Sequence, residues 1–170
     1  MGFRASKLNA LGIGALLHDL GKTKIPPKVL HKAGKLTNAE YAEIKKHVEW
    51  SYILMKEKGK EEIDPLSLTI ALQHHERHDG KGYPYGLKGN QIDLASSICS
   101  ICDVYDAMTT ERVYRKAIPV PEAYEMIMGA AGSQFKFEVV KAFSSCITPY
   151  PIGSLVSTTA GNAYVIETNP

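Results

Sequence analysis

The sequence predicts an all-α chain: a compact helical bundle to about residue 148, followed by a small β-hairpin tail. Three observations carry this. Apolar residues recur at helical spacing in successive segments, each bounded by a capping or breaking residue. The interval Asp79 to Asn90 is crowded with glycine and proline and reads as a loop. Beyond Pro151 the pattern changes to short apolar runs around Gly161-Asn162, which suggests a hairpin.

Lys7 to Asp19 forms the first predicted helix, with Leu8, Leu11, Ala15 and Leu16 on one side. Gly21 ends it, and Pro26-Pro27 cannot continue it. Thr37 to Glu40 reads TNAE, a capping box in which hydroxyl and carboxylate satisfy orphan amides. The helix behind it is expected to run to about Lys58 and stop at Gly59. Asp64-Pro65 opens a third helix, proline taking its favoured first position, and carries Leu66 to His75. Ile92 to about Thr110 returns to helical spacing. Pro121 to Ala130 and Glu138 to Ile147 make two shorter helices, stopped by Pro149 and Pro151. The division is therefore a helical domain over 1–148 and a β tail over 149–170.

Composition excludes several classes. With 20 basic and 18 acidic residues and a net charge of +2, the chain lacks the basic face a nucleic-acid binder needs. No apolar run reaches the roughly 20 residues that span a bilayer. The N-terminus MGFRASK lacks signal-peptide design, and three cysteines fit a reducing cytosol better than a disulfide framework. The expectation is a cytoplasmic protein.

Chemistry concentrates where apolar residues should stand. His18-Asp19 closes an otherwise apolar helix, and burying that pair is costly unless something binds it. His47 shares the core-facing side of its helix, and His74-His75 close the third. Asp103 and Asp106 lie one turn apart on the fourth, with Cys99 and Cys102. Singly, an inward histidine is a hydrogen-bonded core residue and a DxxD pair a solvated face. Together, four helices contribute His or Asp near a helix end or beside the loop, and bundle cores commonly house metals. Imidazole and carboxylate without thiolate suit Fe or Mn, and Zn less exclusively. Cys99 and Cys102 read as small buried residues, Cys146 as core, and His31 and His78 as exposed.

His18-Asp19 with Gly21-Lys22 resembles the motif of the HD phosphohydrolase superfamily. His74 to Pro84, HHERHDGKGYP, is similar to the signature of its HD-GYP family. The likeness continues through Gly86–Gly89 (GLKG), Asp103–Thr109 (DVYDAMT) and Arg112–Ala117 (RVYRKA). It implies a compact HD-domain bundle that hydrolyses cyclic di-GMP to pGpG and/or GMP, through a hydroxide bridging metals. It also implies two divalent ions, with a third in some members; Fe or Mn stand foremost, and Zn, Ni or Mg are also compatible. His18, Asp19, His47, His74, His75 and Asp103 match ligand positions, Asp19 as the carboxylate shared between metals. Asp19 and Lys22 match the catalytic pair, Lys22 beside the scissile phosphate. Arg112 and Arg115 match cationic ligand-holding positions. Asp106 either orients the ligand or stays solvated. Asp79, Gly80, Gly82, Tyr83 and Pro84 form the signature loop, which in the family docks partners including GGDEF-type cyclases.

Departures are visible. Ser96-Ser97 replace a basic and an apolar residue, Val113 a proline, and Phe135-Lys136-Phe137 an FDP triplet. The family's preceding helix, with its further histidine ligand, has no room before His18. The expectation is a chain lacking its first helices, short of one ligand, with an uncovered core face that a second copy would close. An enzyme, a catalytically impaired binding or docking module, and an HD hydrolase of other nucleotides are the three readings; the loop disfavours the last.

Overall fold

The computed structural model describes residues 2–59, 62–111 and 116–168. Arg112 and Arg115 lie outside the described residues. The order is α1 (Ala5–Leu17), a 3₁₀ turn (Leu20–Lys24), α2 (Pro27–Leu30), α3 (Asn38–Lys45), α4 (His47–Gly59) and α5 (Pro65–Gln73), then a long loop, α6 (Leu94–Thr109), α7 (Val120–Gly129), α8 (Phe137–Ser144) and a hairpin, β1 (Leu155–Thr158) and β2 (Gly161–Tyr164). Among the described residues no helix is long and apolar enough to cross a membrane.

Local chemistry sets most boundaries. Thr37 and Glu40 form the expected capping box at α3. Asp64 and Asp93 each accept the amide two residues on, starting α5 and α6. The expected single helix to Lys58 is broken: α3 ends at Lys45 and α4 restarts at His47. That break turns the imidazole inward, leaving His47 1% exposed.

Helix α6 is central. One face joins Ile101 and Met108 to Ile127 of α7 and Val139 and Phe143 of α8; another joins Ala95 and Cys99 to Ile70 of α5. Such side chains each contribute about 1.5–3 kcal/mol on burial. Helix α1 packs on α5, where Ser67 Oγ donates to Ala10 O at 2.7 Å. Gly21 lets the 3₁₀ turn meet α4: a Cβ there would lie 2.0 Å from His47 O, and its N–H donates to Ser51 Oγ at 2.8 Å.

Several expectations are corrected. Helix α1 begins at Ala5 and buries Ala10 and Gly14, while Leu8 and Leu16 are 52% and 82% exposed. The strip of α1 that meets α5 is built of small residues and lies to one side of the leucines. Phe3, Leu8 and Leu11 instead border an apolar groove of about 350 Å³ with Ile98, Ile101 and Phe143. Cys99 is buried, but Cys102 and Cys146 are exposed. Strand pairing runs Leu155↔Tyr164 to Thr158↔Gly161, so the turn is Thr159-Ala160 and Gly161-Asn162 belong to β2.

Candidate metal centre

His18 caps the C-terminus of α1 and Asp19 follows it; His47 opens α4, His74 caps α5 and His75 follows, and Asp103 comes from mid-α6. The packing of these elements brings all six together. His18, His47 and His74 share one device. Each Nδ1 bonds a carbonyl of its own preceding turn: Ala15 O at 2.6 Å, Ile44 O at 2.6 Å and Ala71 O at 2.9 Å. A carbonyl only accepts, so Nδ1 carries a proton and Nε2 is aimed inward, the nitrogen each ring would offer a cation.

Two groups result. Asp19, His47, His74 and His75 have one donor atom each within 4.8 Å of one another, and so do His18, Asp19 and Asp103. Asp19 belongs to both. Its Oδ1 lies 3.2 Å from His47 Nε2 and 4.0 Å from His74 Nε2; its Oδ2 lies 3.4 Å from His18 Nε2 and pairs with Lys22. Asp103 Oδ1 is 3.6 Å from His18 Nε2. His18 Nε2 and Asp19 Oδ1 are buried without a hydrogen-bond partner. Leaving such groups unsatisfied costs roughly 1–3 kcal/mol apiece, so the cluster fits cations that would satisfy them.

Electrostatics agree. Burial pushes against ionising Asp19, yet contacts with His18, His47 and Lys22 hold its carboxyl well below the usual range. Asp103 is likewise lowered: burial opposes this, and His18 and His75 outweigh it. Burial would also lower His18, but Asp103 and Asp19 raise it to about 10. Burial lowers His74 to about 3 and His75 to about 4, helped by neighbouring histidines. Anionic carboxylates and the neutral imidazoles of His74 and His75 are the states cation binding requires, whereas His18, held as an imidazolium by Asp103 and Asp19, would have to give up its proton to a bound ion.

The loop rests on this cluster. Tyr83 stacks on His75, ring centroids 4.7 Å apart, and its N–H donates to His75 O at 3.2 Å. Gly82 makes that approach feasible, since a Cβ would fall 2.4 Å from Arg77 N and 2.5 Å from Glu76 Cα. Gly80 takes φ 79° and Tyr83-Pro84 is cis. Asp79 accepts from Arg77 Nε and Nη2 at 3.1 and 2.9 Å, and Arg77 Nη1 donates to Gln134 Oε1 at 2.8 Å.

Asp106 is not part of the cluster: it is exposed and accepts from Thr110 Oγ1. His78, expected exposed, is half-buried, and its Nδ1 lacks a partner at the edge of a void of about 10 Å³. That volume is on the scale of one water. Ser96 and Ser97 are buried and bond Thr69 O and Asp93 O. Lys136 is buried and donates to Ile92 O, tying α8 to the loop's end.

Sequence reasoning missed Glu76. It is 3% exposed, and its carboxylate accepts from Tyr85 N at 2.7 Å and Leu87 N at 2.9 Å, holding the loop folded. The available signal was an acid placed before a glycine-rich stretch whose amides need acceptors. Tyr41 and Lys45 were also missed; they sit one turn apart on α3 and reach Tyr83.

The family model described as HD domain matches residues 1–139. A cyclic di-GMP phosphodiesterase of Pseudomonas aeruginosa is 36% identical over 155 residues, covering 91% of this chain and 37% of that protein. A cyclic di-GMP phosphodiesterase of Thermotoga maritima is 37% identical, covering 84% and 39% respectively. A 3'3'-cGAMP-specific phosphodiesterase of Vibrio cholerae is 34% identical, covering 82% and 27%. The chain thus spans under two fifths of the length of these relatives. An HDG"Y"P protein of Bdellovibrio bacteriovorus superposes with TM-score 0.64 at 23% identity, covering 83% of this chain and 44% of that one, and shares the fold.

Proposed function

The chain belongs to the HD-domain family, a metal-dependent group, and from that premise we propose that it is an HD-GYP phosphodiesterase hydrolysing cyclic di-GMP to linear pGpG and/or GMP. One observation carries the reading most: two groups of donors, buried or half-buried, meet at a single carboxylate, Asp19. The cyclic di-GMP and cGAMP phosphodiesterases among its relatives support the substrate class.

His47, His74, His75 and Asp19 would hold one divalent ion, and His18, Asp103 and Asp19 the other. Iron or manganese suits this thiolate-free set best, with Zn, Ni or Mg as alternatives. When bound, such a pair supplies an activated water and offsets charge on the phosphoryl oxygens. The protein's own share is positioning. Backbone carbonyls lock three imidazoles so that they need not reorganise. Lys22, paired with Asp19, would offset charge developing on the phosphate. Arg112 and Arg115 would hold the rest of the ligand. The loop from Asp79 to Pro84 keeps His75 packed and offers a docking face for a GGDEF-type cyclase.

Purified protein loaded with Mn²⁺ or Fe²⁺ should convert cyclic di-GMP to pGpG, and Asp19→Ala should abolish conversion. Turnover surviving in Asp19→Ala would place the chemistry elsewhere. A second reading is favoured by the group His18, Asp19 and Asp103, which offers only three donors among the described residues. On that reading the chain binds the dinucleotide or docks a cyclase without cleaving. Retained dinucleotide with no pGpG at full metal loading would select it.

A further inference from the structure

We propose that Lys45 is an anion seat for the second, uncleaved phosphate of a cyclic dinucleotide whose first phosphate lies at the histidine–aspartate cluster; this rests on the substrate reading above.

Lys45 ends α3, two residues before His47. Its Nζ lies 4.5 Å from the centroid of the Tyr41 ring and 5.0 Å from that of Tyr83. The two rings meet edge to face at 6.5 Å. Tyr83 in turn stacks on His75 with an interplanar angle of 27°. One aromatic ring therefore relays from the ammonium to an imidazole of the cluster.

The charge of Lys45 is held but not neutralised. Lys22, Lys32 and Lys46 are engaged by Asp19, Glu40 and Glu43. Among the described residues Lys45, half-buried, has no carboxylate partner; its contacts are ring faces. A ring face attracts an ammonium through its quadrupole yet uses none of the N–H donors along a hydrogen bond to an anion. The result is a positioned point charge with donors to spare, the form in which lysine binds phosphate.

Space is available beside it. Lys45 and Lys46 line a hollow of about 360 Å³ with Glu49, Gly82 and Tyr83. Small-molecule sites commonly measure roughly 300–1,000 Å³. The hollow lies between α3–α4 and the loop, on the flank of Tyr83. A cyclic dinucleotide carries two phosphodiesters in one ring. When one is at the cluster, the other is necessarily close by, fully charged and partly stripped of water. A fixed cation one ring from His75 answers that charge; a substrate with a single phosphate has nothing to place there.

The test compares cyclic di-GMP with bis(p-nitrophenyl) phosphate on Mn²⁺-loaded protein, and measures retention of cyclic di-GMP by metal-free protein in equilibrium dialysis. Lys45→Gln should raise KM for cyclic di-GMP about tenfold more than for the single-phosphate diester, with kcat little changed, and weaken retention by a similar factor; this is the scale of one charged hydrogen bond. Lys45→Arg should recover most of both. Lys56→Gln, the same charge change at a lysine that lies over the Tyr52 ring and does not line the hollow, should shift KM under twofold. Equal losses on both substrates, no loss, or a matching loss in Lys56→Gln overturns the seat and leaves the substrate reading standing. Wild-type protein that neither retains nor cleaves cyclic di-GMP overturns both together.

Discussion

The helical body and the C-terminal hairpin break the same rule in opposite directions. Around Asp19, polar side chains are buried where apolar ones would be cheaper: His47 and His74 are each 1% exposed. In the hairpin, apolar side chains face water: Leu155, Tyr164 and Ile166 are 61%, 68% and 85% exposed. Buried polar groups and exposed apolar ones are the informative departures in a globular chain. Only the first departure comes with supporting bonds. Carbonyls orient the imidazoles, Lys22 pairs Asp19, and Tyr83 covers His75. The hairpin has its ladder and little else; from Ala142 to Ile166 there is not one charged residue. The hollow beside it, about 470 Å³ and bordered by Tyr150, Leu155 and Val165, is larger than either hollow flanking Tyr83, so volume does not mark the chemistry. Organised polar groups do.

The contrast is broken most severely at Asp19. Asp19→Ala removes the carboxylate common to both groups, so metal content should collapse at both and turnover fall by roughly 10²–10³-fold or more. Asp103→Ala touches one group alone and should leave about one ion per chain by elemental analysis. Equal metal loss in the two variants would mean that the groups are not separable.

Gly82→Ala tests the loop's dependence on the cluster. The new Cβ would meet backbone at 2.4–2.6 Å, at Arg77 N, Glu76 Cα and His75 O. Thermal melts should show a loss of about 1–3 kcal/mol, the scale of overpacking, together with weaker metal binding as Tyr83 leaves His75. An unchanged melt would show that the loop shifts freely.

Acid should separate the two regions without mutation. Above pH 6.5, His74 and His75 are neutral folded or unfolded. Below it the unfolded chain takes up protons that the folded protein refuses until about pH 3 and 4. Metal-free protein should therefore lose stability from pH 6.5 down to about 4, each imidazole adding up to about 1.4 kcal/mol per pH unit. Urea melts across that window check it, and His74→Gln should flatten the slope. The smallest effect is expected from removing residues 149–170: metal content and turnover should stay within about twofold, since surface changes remote from such sites cost little.

Much of this was legible in residue order. The caps at Thr37 and Asp64 and the proline at Pro65 specify helix starts through local bonds alone. The glycine-rich stretch after Asp79 announced a loop, and the six His and Asp candidates stood out as polar residues on apolar faces. Less legible was anything requiring a partner from afar. Leu8 and Leu16 have the right spacing for burial yet face outward, because Ala10 and Gly14 meet α5. Glu76 reads as a surface acid until the amides of Tyr85 and Leu87 fold back onto it.

Sequence alone determined the donor types, the tight helix ends that carry them and the loop beside them, because those follow from side-chain chemistry and neighbours within a turn. Tertiary structure alone decided that Asp19 lies between two groups of donors, that Tyr83 bridges Lys45 and His75, and which apolar faces stay wet. Convergence of residues distant in the chain depends on how helices pack, and packing is settled by the whole core at once.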